Sequence, residues 1–233
     1  ERARDWWRSL RALAEAKGDV ARLVAADEAL LARDPNDTEA AEHLSTLYRG
    51  AQRWEDLVEL LFLRIQNALA SEQPLIAAGH WLEIAQLRNG PVGDADGALD
   101  AWREGWTIDP SLAEAARKLA ADAGERGEWR EVADIWEAHA EALTEPADRA
   151  AAFCELGRVT DEKLRDPTGA IAAFERALAV DPGAVAALNA LVSIFGRTRR
   201  FAELAATLER KAEAVRGPER SMVSIQAAAV YLD

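Results

Sequence analysis

Cysteine is nearly missing from the 233 residues: Cys154 stands alone, so no disulfide can close within the chain. That fits a reducing compartment such as the cytoplasm and leaves a periplasmic location open. Lysine is almost as rare. Lys17, Lys118, Lys163 and Lys211 are the only four, against 24 arginines, which reads as genome bias rather than mechanism. Basic charge is short overall. The net charge of −13 argues against a protein that neutralises nucleic-acid phosphates and mildly favours basic partners. No apolar run approaches the ~18 residues of a membrane span, and no signal peptide is apparent. The chain starts at Glu1 rather than Met, which is read as processing or as a piece of something longer.

Catalytic signatures are also missing. His43, His80 and His139 lie far apart, with no metal-ligand spacing such as H-E-x-x-H. No Gly-rich phosphate loop occurs. The glycines and aspartates of Asn89 to Gly97 lack the order of a twelve-residue calcium loop and read as a turn. No cofactor, metal or catalytic residue is expected, and no enzyme activity. What the chain does have is alanine and leucine, with few glycines and β-branched residues, a composition that favours helix.

The helical segments repeat. Three Asp-Pro pairs fall at Pro35, Pro110 and Pro182. Nineteen residues after each come Trp54, Trp129 and Phe201; 29 before each come Trp6, Trp81 and Phe153. A second proline series, Pro74, Pro146 and Pro218, recurs at intervals of 72, and Trp81, Phe153 and Ile225 follow seven residues after its members. The Asp-Pro intervals are 75 and 72, which places three extra residues between Trp54 and Pro74, inside or just after one helix. Aromatic residues are only 6% of the chain, so such coincidence is not accidental. The unit is therefore about 72 residues and two helix hairpins.

Apolar spacing and turn residues predict 13 helices: 3–16, 19–33, 38–49, 54–70, 74–89, 94–108, 111–125, 129–143, 146–164, 168–180, 184–196, 201–215 and 218–232. Pro74, Pro146 and Pro218 suit first helical turns. Asp166-Pro167 is out of phase with the other Asp-Pro pairs. It aligns with Asp19-Val20 and Asp94-Ala95, so it is expected to start a helix, with Asp as N-cap and Pro at the first position.

These residues resemble the tetratricopeptide repeat family of 34-residue helix hairpins. Phe153, Leu156 and Gly157 of "FCELG", with Ala170, Phe174, Ala177 and Pro182, follow its pattern. So do Trp81, Ile84, Ala85, Ala98, Trp102, Gly105 and Pro110. The match is specific over 78–110 and 150–182 and degenerate elsewhere. In the first hairpin Leu23, Asp27 and Leu30 replace the small-aromatic-small set, and the hairpins opening at Thr38, Ala113 and Val185 lack the aromatic opener. The resemblance implies an all-α, right-handed superhelical solenoid over residues 1–233, with about six and a half antiparallel hairpins.

It also implies a task. The family takes extended peptides or helices of partner proteins on a concave face lined by the first helix of each hairpin. Carried over by position, that face holds Trp7, Leu82, Cys154 and Gln226 in the odd hairpins and Glu42, Arg117 and Asn189 in the even ones, with Arg158 one turn beyond Cys154. The expected function is a non-enzymatic scaffold or adaptor. Trp7, Leu82 and Cys154 would offer apolar contacts, and Glu42, Arg117, Arg158 and Asn189 would fix polar groups of the partner. Packing between hairpins is the competing role for the apolar three. The family's Lys/Asn/Arg carboxylate clamp is not found, which argues against an acidic chaperone tail as ligand. Arg2, Arg4, Arg8 and Arg11, and Arg197, Arg199 and Arg200, form two basic patches, read as anion-binding or simply solvated faces. Self-assembly through open solenoid ends, or regulation of an enzyme domain elsewhere in a longer chain, are the alternative functions.

Overall fold

In the computed structural model residues 2–230 are described, with side chains from Asp5 to Val230. Among them are thirteen α-helices and no strand. The helices group into two compact units, Glu1–Asp109 and Pro110–Asp233, divided at the second Asp-Pro pair. The first unit holds α1 (Arg2–Lys17), α2 (Val20–Leu31), α3 (Thr38–Gly50), α4 (Trp54–Ala70), α5 (Pro74–Leu87) and α6 (Ala95–Ile108). The second holds α7 (Ala113–Glu125), α8 (Trp129–Ala142), α9 (Pro146–Glu162), α10 (Pro167–Val180), α11 (Val185–Arg197), α12 (Phe201–Ala214) and α13 (Pro218–Val230). Within each unit every helix packs on its neighbour in sequence. Residues 231 and 232 of the last predicted helix lie outside the described residues.

The sequence landmarks are helix boundaries. Trp54, Trp129 and Phe201 are the first residues of α4, α8 and α12, and Pro74, Pro146 and Pro218 are those of α5, α9 and α13. Proline costs nothing there, because the first-turn N–H has no helical partner. The three extra residues extend α4, which has 17 residues where α8 and α12 have 14. Asp19, Asp94 and Asp166 cap α2, α6 and α10, each accepting from the backbone N–H of the residue three positions on. Asp109 and Asp181 leave α6 and α10 in extended conformation, as a residue before proline must.

One turn differs from expectation. Arg88–Val92, read from sequence as a helix end and a turn, forms a π-helical turn that continues α5. Pro91 has no N–H to give and its ring crowds the carbonyl four residues back, so the ladder widens there. Gly93 then closes the turn at φ +77°, and the Asp94 N–H bonds the Arg88 carbonyl at 2.8 Å.

The core is built of small residues and rings. In unit 2, Phe174 of α10 lies on Gly157 of α9, where an added methyl would meet the ring at 2.7 Å. Phe153 of α9 is 2% exposed. The Arg176 guanidinium sits 4.3 Å from its ring centroid and is itself held by Glu137 and Glu141 of α8 at 2.6 and 2.8 Å. In unit 1, Trp81 of α5 meets Phe62 of α4 edge to face at 5.3 Å. The aromatic series is not uniformly buried. Trp6 is 57% exposed and Phe201 54% exposed, and Ile225, at the register of Phe153, is 70% exposed, with no helix among the described residues packed on that side of α13. No helix among the described residues is long and apolar enough to cross a membrane.

Candidate partner-binding surface

The sequence-selected residues all lie on first helices, and the structure gathers some of them and separates others. Arg117 of α7 and Arg158 of α9 line one cavity of about 400 Å³ in unit 2, with Trp129 and Trp136 of α8 and Lys163. Arg158 is bonded to Glu155 at 2.7 Å and Glu162 at 3.4 Å. Lys163 stands 4.5 Å above the Trp129 ring. Arg117 is exposed and makes no ion pair among the described residues. The cavity therefore offers cationic groups and indole edges together, in a chain that is acidic as a whole.

Cys154 is half-buried on α9. Burial pushes its thiol up from the usual range; Glu155 and Asp181 add to this, and the Ala187 backbone opposes it. A thiol held protonated behaves as a small apolar contact rather than a nucleophile. Asn189 is exposed on α11.

In unit 1, Leu82 of α5 is half-buried in a cleft of about 450 Å³ with Arg49, Trp54, Gly79, Glu83, Gln86 and Leu87. An Arg49–Glu83 ion pair ties α3 to α5 across it. This cleft repeats the unit 2 cavity in register: Trp54 stands where Trp129 does, and Gln86 where Arg158 does. Trp7 packs edge-on against Trp6, with centroids 4.5 Å apart. Glu42 is exposed and faces a different cavity of about 330 Å³ with Arg11, Glu15, Glu39, His43 and Thr46.

The basic patches are largely consumed internally. Arg8 reaches Asp37 at 3.8 Å, and Arg11 reaches Asp27 and Glu39. Arg197 pairs with Asp161, and Arg200 with Glu203 while lying 4.8 Å over Phe195. The side chains of Arg2 and Arg4 lie outside the described residues.

Sequence reasoning missed a polar network in the first hairpin. Asp27 of α2 is fully buried (0% exposed) and meets His43 Nδ1 of α3 at 2.5 Å and Arg11 Nη1 of α1 at 3.5 Å. Burial raises its carboxyl above the usual range, against the opposing pull of His43 and Arg11. The signal was present, because Asp27 occupies the register of Trp102 and Phe174. The partners, 16 residues away on either side, could not be paired without the fold.

No family model and no curated protein sequence matches the chain. Solved structures do. The C-terminal part of a TPR repeat-containing protein from Cytophaga hutchinsonii shares 12% identity over 97% of this chain and 88% of that one, at a TM-score of 0.51. Yeast Tom70 is 14% identical, with 97% of this chain and 47% of that chain covered, at 0.46. Pseudomonas aeruginosa pilF is 14% identical over 100% and 86%, at 0.43. The chain thus spans about half of the Tom70 structure it matches. At such identities the likeness concerns fold alone, and the first comparison carries it. With the hairpin packing, the capped second helices and the recurring register, it makes this chain a helical-repeat protein with a tetratricopeptide-repeat-like fold.

Proposed function

We propose that the chain is a non-enzymatic protein–protein interaction scaffold that takes a peptide or helix of a partner on the face lined by its first helices. The observation that carries this reading is the unit 2 cavity. Arg117 and Arg158 converge there with two tryptophans, and Arg117 serves no ion pair among the described residues. Arginine beside indole is a combination enriched where proteins bind proteins. Leu82, Trp7 and Cys154 add half-buried apolar surface on α5, α1 and α9; Glu42 and Asn189 add exposed polar groups on α3 and α11. The test is capture of partners from a lysate by the chain and by the variants Arg117→Glu, Leu82→Glu and Trp7→Ala, each checked for helix content by circular dichroism. Loss of one defined partner in Arg117→Glu and Leu82→Glu, with folding intact, supports the reading; capture indifferent to all three substitutions removes it.

A second reading, self-association, has its own observation. Trp6 and Leu13 on α1, and Met222 and Ile225 on α13, are exposed large apolar side chains at helical spacing. Light scattering during gel filtration separates the two: a monomer that captures a partner favours the scaffold, and a concentration-dependent oligomer favours assembly.

A further inference from the structure

Arg64 of α4 is the exception among the partly buried arginines. Arg11, Arg176 and Arg210 each lie against a carboxylate. Arg88 lies near Asp94 and over Phe62, and Arg149 over Phe153. Arg64 is also partly buried, yet it has no hydrogen bond, ion pair or ring partner among the described residues. Its guanidinium nitrogens are not sealed from solvent, so a ligand carboxylate can take them as a charge-assisted partner without displacing an internal one.

Arg64 lines a cavity of about 510 Å³ in unit 1, bounded by α3, α4 and α5. Thr38, Asn67 and Ser71 supply hydrogen-bonding groups; Ala68 and Ile76 supply apolar wall, and Ile76 remains largely exposed. His80 of α5 lines the same cavity. Its imidazole is pushed below the usual range by burial first and by Arg64 second, with Glu83 opposing. The charged groups around it are Arg64 from α4, Glu83 on its own helix, which Arg49 of α3 engages, and Asp37 and Glu42 at the α3 wall. Asp37 is occupied by Arg8 and by capping Ala40. Two acidic groups on the wall repel a dianion more than a monoanion, so the complementary charge is a single carboxylate rather than a phosphate.

We propose that this cavity receives an acidic side chain of a partner peptide, its carboxylate on Arg64 and a neighbouring aliphatic side chain on Ile76 and Ala68. The proposal rests on the interaction reading only in drawing the carboxylate from a peptide. Arg64 lies on a second helix, outside every position predicted for binding.

The test is NMR of the histidine rings in the whole chain, titrated with the blocked peptide N-acetyl-Leu-Asp-Leu-amide. His43 and His139 serve as internal references. The Asp peptide is expected to shift the His80 resonances and raise the pH at which it titrates, because a bound carboxylate offsets the charge of Arg64. The same peptide with Asn for Asp is expected to do neither. Arg64→Gln should weaken the response about tenfold or more, the loss of a charge-assisted bond, and Arg64→Lys should retain part of it. A silent His80, an equal response to the Asn peptide, an unchanged response in Arg64→Gln, or a stronger response to inorganic phosphate than to the Asp peptide would overturn the proposal. Partner capture by the Arg117 and Leu82 variants does not involve His80. A silent His80 with variant-sensitive capture therefore removes this proposal alone, and the converse result removes the interaction-face reading alone.

Discussion

The hairpin α1–α2 and the hairpin α9–α10 solve one packing problem in opposite ways. In α9–α10 the second helix sends Phe174 onto Gly157, leaving no room for a methyl between ring and backbone. In α1–α2 the same register holds Asp27, and the position of Gly157 holds Leu10. A ring cannot lie flat on a leucine as it does on a glycine, and the site is filled by a carboxylate tied to α1 through Arg11 and to α3 through His43. The ring gains from apolar burial and from contacts at close range. The carboxylate gains from its partners but must first lose water, and its raised pKa records that loss. The repeat framework thus tolerates a charge where it usually wants an aromatic, provided two neighbouring helices supply the compensation.

The largest effect should come from removing the ring. Phe174→Ala leaves a cavity against Gly157 and is expected to lose about 4 kcal/mol in urea unfolding followed by circular dichroism. A loss below ~1 kcal/mol would mean that the site is not packed as described. Next comes the charge. Asp27→Ala strands Arg11 and His43 around a buried gap and should cost about 3 kcal/mol. Asp27→Asn, which keeps the shape, should cost less than Asp27→Ala, and its difference from the parent should depend on pH. The sign follows from the raised carboxyl. The folded state holds the proton more tightly than the unfolded chain, so this contribution is fully present below the ordinary carboxylate range and is lost as pH rises through the folded value. The parent should therefore gain on the Asp27→Asn variant as pH falls toward 4. A gap that narrows as pH falls would contradict the buried-carboxylate account.

The smallest effect concerns the turns. Gln52 and Arg199 occupy left-handed backbone at φ 56°, and Gly127 occupies the equivalent turn between α7 and α8 at φ 77°. Arg199→Gly should relieve strain of about 1 kcal/mol, partly offset by chain entropy, for a net gain of about 0.5 kcal/mol in the same urea assay. A loss of stability would show that the Arg199 side chain contributes something the backbone conformation conceals.

Much of this fold was legible because its punctuation is chemically compulsory. Pro74, Pro146 and Pro218 have few places to go but a first helical turn, and Asp19, Asp94 and Asp166 cap where a cap is needed. The three-residue insertion was placed beside or within the helix after Trp54, and α4 contains it. The π turn at Arg88–Val92 was not legible, since Pro91 reads equally well as a break. The site was legible only in part. Arg117 and Arg158 stand on the first helices α7 and α9 and line one cavity, a grouping that the repeat register alone does not give. Asp27, His43 and Arg11 meet across three helices, and Arg64 and His80 across two, so their relation depends on packing that no local pattern encodes.

The contrast between the two hairpins reduces to whether Asp27 and His43 are coupled in the folded chain. A double-mutant cycle on Asp27→Asn and His43→Ala, measured by urea unfolding at neutral pH, tests this directly. The account predicts a coupling of about 1 kcal/mol or more between the two positions. Strictly additive effects would mean that the buried carboxylate is held by something other than His43, and the comparison with Phe174 would fail.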